Sequence, residues 1–153
     1  DSMPVEILGW RIMKQMNRLR TEIQKYLNKF YDKTYILDSR VKSPDKLKMK
    51  QTLISSKKGY PIKLNDLPDI IGLRISVETE QDVEKMSELI KGLSPSKVMD
   101  YFNTPRENGF KAFLYYFENI GINVEIQIMT VQMMEWTNAT HKEHDTEKYG
   151  QIR

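Results

Sequence analysis

Apolar residues recur at steps of three and four along the start of the chain. Val5, Leu8, Ile12, Met16, Leu19, Ile23, Leu27 and Phe30 fall on one stripe, and polar residues fill the other faces. That period predicts one long helix over residues 5–32, laid by its apolar side on a core. The next segment, TYILDSRVK at 34–42, opens with the β-formers Thr34, Tyr35 and Ile36 and then turns polar, as a short strand or loop would. In SPDKLKMKQTLISS, which follows, Ser43 suits an N-cap, Pro44 the first helical position and Asp45 the positive helix end. A helix therefore starts there, and KKGYP at 57–61 breaks it.

The period then changes. DIIGLRISVE at 69–78 is a nearly continuous apolar run, which predicts a buried strand. TEQDVEKMSELIKGL returns to helical spacing, with Val83, Met86, Leu89 and Ile90 inward and Gly92 near its end. SKVMDYF predicts a strand and NTPRENG at 103–109 a polar loop. Residues 110–118 and 122–130 form two strands of a hairpin around Asn-Ile-Gly, and a last helix covers 131–147. Helices interleaved with strands in this order predict an α+β domain, a mixed β-sheet flanked by α-helices. In the last strand Val124, Ile126 and Ile128 point one way and Glu125, Gln127 and Met129 the other. A carboxylate in the middle of so apolar a strand needs a wet face or a partner.

Composition narrows the chemistry. The 153 residues suit a single domain, 1–153, in which Asp-Ser-Met at 1–3 reads as a tag remnant. The chain has no cysteine, which excludes disulfides, thiolate metal sites and cysteine nucleophiles and makes the cytoplasm the expected setting. His141 and His144 are the only histidines, so a multi-histidine zinc site is not expected. No apolar run is long enough to span a bilayer, and no membrane partner is expected. The net charge of +3 is unevenly spread: residues 1–58 carry 14 Lys and Arg against 6 Asp and Glu, and residues 59–153 carry 10 against 15. A basic half beside an acidic half suits a polyanion held by cations and bridged by metal at carboxylates. A helix with a solvated basic face is the plainer alternative.

Residues at element ends could act together. Arg40, Lys42 and Lys50 lie on or beside one helix start, where the lysines would meet phosphates as point charges and Arg40 would lay its planar guanidinium on a base. Asp69 opens the strand that carries Arg74. If that strand neighbours the one carrying Glu125, Asp69 and Glu125 could hold Mg²⁺ against a polyphosphate. Each residue has a structural alternative. An Arg-x-Lys pair is commonly surface, Asp69 follows Asp66 and Pro68 as a turn residue would, and Phe110 after a glycine is commonly core. Glu125 could pair with a lysine, and a helical His141 is commonly structural.

The order and spacing of these residues carry a resemblance. RVKSPDKLKMK, DIIGLRI, ENGFKAF and EIQIMTVQMMEWTNATH resemble, in the same order, the motifs of the RelA/SpoT-type alarmone synthetases. The resemblance implies a nucleotidyltransferase-like synthetase fold and a pyrophosphokinase that moves the β,γ-diphosphate of ATP to the 3′-hydroxyl of an acceptor nucleotide. By position it implies ATP binding at Arg40, Lys42, Ser43, Lys50 and Arg74, with the two arginines about the adenine. It implies Mg²⁺ at Asp69 and Glu125, with Glu125 also activating the attacking hydroxyl. The acceptor would meet Phe110, Lys111, Asn108, Gln127 and His141. Small synthetases of this family often assemble through helices beyond the catalytic sheet, so a homo-oligomer is compatible with the resemblance.

Departures from the family pattern gather on the acceptor side. Phe110 stands for Tyr, Lys111 for Arg, Ala112 for Ser, Leu114 for His, Met129 for Arg and Thr140 for Glu. Three readings follow. The first is an alarmone synthetase using GDP or GTP to make (p)ppGpp. The second is a toxin-type relative acting on the 3′ end of tRNA or on adenine nucleotides, with the basic helix residues Arg11, Lys14, Arg18 and Arg20 facing RNA backbone. The third is a degenerate nucleotide-binding domain, against which the retained Arg40, Lys42, Lys50, Asp69, Arg74 and Glu125 argue.

Overall fold

The amphipathic stripe becomes α1, Val5–Phe30, in the computed structural model of the chain. The structure describes residues 5–41, 43–63, 66–67, 70–119 and 122–149, with side chains at 10–41, 43, 45–63, 66–67, 70–118 and 122–140. Ile12, Ile23 and Leu27 are buried, and Met16 and Leu19 pack at the edge of the core. The stripe ends differently from its sequence pattern. Phe30 is 56% exposed, its ring against Tyr26, and Tyr31 takes the inward place. The reason is that α1 ends at Phe30, so the chain leaves the helical path there and turns the next aromatic toward the core.

β1 is Ile36–Val41. It forms in the polar half of its segment rather than at Thr34 and Tyr35, because Tyr35 is engaged with α1, its hydroxyl donating to Asn28 at 2.8 Å. Alternation then sends Leu37 inward and Asp38 and Arg40 to the opposite face. Arg20 of α1 donates to Ser39 Oγ at 2.8 Å and to the Leu37 carbonyl at 2.9 Å, fastening this polar strand to the helix. Arg20 is thus engaged with β1, and the Lys14 ammonium sits 4.5 Å over the Trp10 ring.

α2, Pro44–Lys58, starts as its sequence predicts, with the Ser43 side chain accepting from the Lys46 N–H at 3.3 Å and Pro44 in the first turn. Gly59 closes it at φ 79°, a left-handed position that glycine enters without strain. β2 is Ile71–Val77 and α3 is Glu80–Lys91, capped by Thr79. β3, Lys97–Asp100, and β4, Phe113–Asn119, lead to β5, Ile122–Thr130, and α4, Val131–Tyr149.

The five strands form one mixed sheet in the order β1-β2-β5-β4-β3, with only β2 and β5 parallel. Its two faces differ. Leu37, Leu73, Ile75, Tyr115, Val124, Ile126 and Ile128 face α1 and α3 and make the main core. The other face carries Asp38, Arg40, Gly72, Arg74, Glu125 and Gln127, and α4 crosses part of it. Register is fixed because a one-residue slip would move the whole apolar set to the wet side. No helix among the described residues is long and apolar enough to cross a membrane.

Candidate active site

Strand register brings three of the predicted site residues, Arg40, Arg74 and Glu125, onto adjacent strands. Arg40 of β1 stands opposite Gly72 of β2, which stands opposite Glu125 of β5. One step along, Asp38 is opposite Arg74, and Arg74 is opposite Gln127. All six side-chain positions share one face and line a cleft of about 50 Å³. Gly72 is the floor. A Cβ there would lie 3.4 Å from Arg40 Cγ and 3.5 Å from its Nε, so the arginine lies flat across the glycine.

Hydrogen bonds connect the cleft residues in series. Arg74 donates from Nη1 to Asn138 Oδ1 on α4 at 2.9 Å and from Nε to Gln127 Oε1 at 3.2 Å. Gln127 in turn donates from Nε2 to Glu125 Oε1 at 2.9 Å. Glu125 is 7% exposed, so the oddity of the strand has both a partner and an opening onto the cleft. Burial and then the neighbouring Arg40 charge lower the Arg74 pKa from its ordinary value, against the pull of Asp38 and Glu125. Two guanidinium groups held this close on a half-buried floor favour a polyanion or an electron-rich ring between them.

Other predicted residues stand elsewhere. Lys50 is buried on α2 and is not among the residues lining the cleft. Ser43 spends its hydroxyl on the α2 cap. Lys42, Asp69 and the side chain of His141 lie outside the described residues. Among the described residues no group of three or more Asp, Glu or His is placed to hold a metal ion. Mg²⁺ does not require one, since it is commonly bound by one or two carboxylates together with substrate phosphates.

The acceptor set is divided. Gln127 lines the cleft with Arg40, Arg74 and Glu125. Asn108 and Lys111 line a second, larger cavity of about 400 Å³ with Glu80, Phe102 and Trp136. Lys111 donates to Glu80 Oε2 at 2.8 Å and lies 4.8 Å over the Phe102 ring. Phe110 does not line that cavity. Gly109, at φ 96°, turns the loop, Asn108 Oδ1 accepts the Phe110 N–H at 3.0 Å, and the Phe110 ring meets Tyr101 edge-on at 6.4 Å.

Three of the departures share one environment. Ala112, Leu114 and Met129 are buried together, with Met99, Tyr101, Phe110, Tyr116, Met133 and Met134 packed around them. Met129 does continue the face of Glu125 and Gln127, but that end of the face is not open. The start of α4 covers it, and Met129 has no exposure.

Sequence reasoning missed Asp38, Asn138 and Glu80. Asp38 could have been found from its two-residue spacing to Arg40 once a strand is assigned there. Asn138 and Glu80 meet their partners only through packing of α4 and α3, and no local pattern marks them.

A family model described as the region found in RelA / SpoT proteins matches residues 39–151. Among solved structures, the chain is similar to the small alarmone synthetase 1 from Bacillus subtilis bound to its product pppGpp. That pair shares 20% identity and a TM-score of 0.72, over 94% of this chain and 82% of that one. It is also similar to a GTP pyrophosphokinase family protein from Streptococcus pneumoniae, with 22% identity and a TM-score of 0.70 over 97% and 80%. A third likeness is to smu.1046c from Streptococcus mutans UA159, with 26% identity and a TM-score of 0.67 over 91% and 77%. No curated protein sequence matches the chain.

Proposed function

The chain belongs to the RelA/SpoT family, and from that premise we propose that it is a pyrophosphokinase that moves the β,γ-diphosphate of ATP to the 3′-hydroxyl of GDP or GTP, making (p)ppGpp. The observation that carries this is the single cleft in which Arg40, Arg74 and Glu125 meet across three adjacent strands. The Bacillus subtilis enzyme, whose fold this chain shares, is solved with pppGpp as its product.

In the proposed reaction Arg40 and Arg74 hold the adenine between planar cations, and Lys42, Lys50 and the start of α2 hold phosphate oxygens. The acceptor 3′-oxygen attacks the β-phosphorus, the bond from that phosphorus to the α-phosphate oxygen breaks, and AMP leaves. Glu125 takes the hydroxyl proton, positioned for it by the amide of Gln127. Mg²⁺, for which Asp69 and Glu125 are the proposed ligands, would neutralise charge on the transferring group. The acceptor base occupies the larger cavity, with Asn108 and Lys111 on its rim and the Trp136 and Phe102 side chains as its apolar lining.

A second acceptor is favoured by one observation. The only cation lining that cavity among the described residues is Lys111, and Glu80 already neutralises it. The Ala112, Leu114 and Met129 positions add packing rather than charge. An acceptor whose phosphates are held elsewhere, the tRNA 3′ end, or one of the adenine nucleotides, fits that composition. Incubation with γ-labelled ATP, Mg²⁺ and, in turn, GDP, GTP, adenine nucleotides and deacylated tRNA decides between them. Label on a guanine nucleotide is the expected result, label on tRNA or adenine supports the second acceptor, and transfer to none of them overturns the proposed activity.

A further inference from the structure

We infer that Asn138 is a positioning residue that orients Arg74 and, through Gln127, the carboxylate of Glu125. This rests on the proposed donor role of Arg74 and extends it to a residue on a different element. The inference starts from hydrogen-bond capacity. A guanidinium only donates, a carboxylate only accepts, and a glutamine amide does one at each end. Gln127 sits between Arg74 and Glu125 and satisfies both only one way round, with its carbonyl toward the arginine and its NH₂ toward the carboxylate. The orientation of the amide is therefore set by where the Arg74 Nε–H points.

The direction of that N–H is set in turn from α4. Arg74 extends from a central strand with a flexible side chain, and a repelling Arg40 stands on the same face. A single bond to Gln127 would leave the guanidinium free to pivot about it. The second bond, from Nη1 to Asn138 Oδ1, fixes two edges of the planar group and so fixes its plane. The faces of the guanidinium remain available for stacking, because both bonds use its edge. Asn138 thus presents the donor plate at a defined angle, and the same bond carries orientation two steps further to the group proposed to take the proton.

The test separates positioning from folding. Asn138 is exposed on a helix, where alanine is the best helix former, so Asn138→Ala removes the acceptor without a propensity cost. Asn138→Asp keeps an acceptor oxygen at the same place. In Asn138→Ala the affinity for ATP, titrated directly, falls by about five- to tenfold, the scale of one partly solvated hydrogen bond to a charged group. The acceptor KM stays within about twofold and the melting temperature is unchanged, and Asn138→Asp restores ATP affinity. A readout independent of ligand accompanies it: the two Nη resonances of Arg74 are distinct by nitrogen NMR in the wild type and in Asn138→Asp, and merge in Asn138→Ala. Distinct resonances in Asn138→Ala, or no rescue by Asn138→Asp, overturn the inference. A wild type that binds no ATP but shows the expected NMR pattern sinks the proposed function and leaves the positioning role standing.

Discussion

Gly72→Val makes the cleft geometry quantitative, because it should raise stability and lower ATP affinity at once. A Cβ at this position would stop 3.4 Å from Arg40 Cγ and 3.5 Å from Nε, which is ordinary van der Waals contact. Alanine therefore fits without moving the arginine. Valine carries two methyl groups roughly 1.5 Å further out, and at least one must displace the Arg40 side chain from the sheet. Loss of the contacts of one charged group amounts to about 1.5–3 kcal/mol, or about 10- to 150-fold in ATP affinity. The backbone effect has the opposite sign. Glycine weakens a strand interior by about 0.5–1 kcal/mol, and β-branched residues favour it. Thermal melts should thus show the valine variant level with or above the wild type by about 2–4 °C, while alanine shows a similar gain with ATP affinity within about threefold. Titration with ATP checks the other half. A valine variant that binds ATP like the wild type would refute the idea that Arg40 works from its place over Gly72. Equal losses in alanine and valine would place the effect in the backbone and not in Arg40.

Glu125→Gln and Asp69→Asn should each lower diphosphate transfer by about 100-fold or more. In Glu125→Gln the new amide oxygen still accepts from Gln127, so the fold is kept, and near-normal turnover in either variant would sink the site assignment. Trp136→Ala should raise the acceptor KM about tenfold and leave ATP affinity intact, as expected for loss of one ring lining the proposed acceptor cavity; equal loss of both would mean the ring serves only packing. Tyr31→Phe should stabilise the protein by about 1 kcal/mol, because the buried Tyr31 hydroxyl has no hydrogen-bond partner among the described residues. Burial, followed by the charges of Asp82, Asp32 and Glu78, pushes the Tyr31 pKa up to about 12 from 10.0. A raised folded pKa means that the favourable contribution is complete below pH 10 and is lost as pH climbs toward 12. The phenylalanine variant escapes that loss, so its advantage in denaturant titrations should widen across this window; a constant gap would show that Tyr31 does not titrate as described.

The chemistry-bearing strands were legible because their alternation is nearly unbroken. Val124, Ile126 and Ile128 leave Glu125 and Gln127 no place but the other face, and Ser43 with Pro44 marks the start of α2 to the residue. What the residues cannot declare locally is who stands opposite whom. That Arg40 meets Gly72, and Arg74 meets Gln127, follows from the order in which strands join the sheet. The loop at 103–112 was the hardest to read, since an aromatic after glycine can face a ligand or a core. Here Phe110 joins a methionine-rich cluster created by Met99, Met129, Met133 and Met134, residues far apart in sequence. Arg20 is a related case, since it looks solvated until β1 is laid beside it.

β1 is an edge strand, with one strand neighbour among the described residues, whereas β2 is paired on both sides. The proposed nucleotide clamp therefore has unequal jaws. Arg74 is mounted on a strand laddered on both sides, while Arg40 rides on one that has a single ladder and the two Arg20 bonds from α1 to give up, a lower free energy than opening the centre of the sheet. A nucleotide leaving such a clamp need not break the sheet: one jaw yields while the other keeps Glu125 and its neighbours in register for the next turnover.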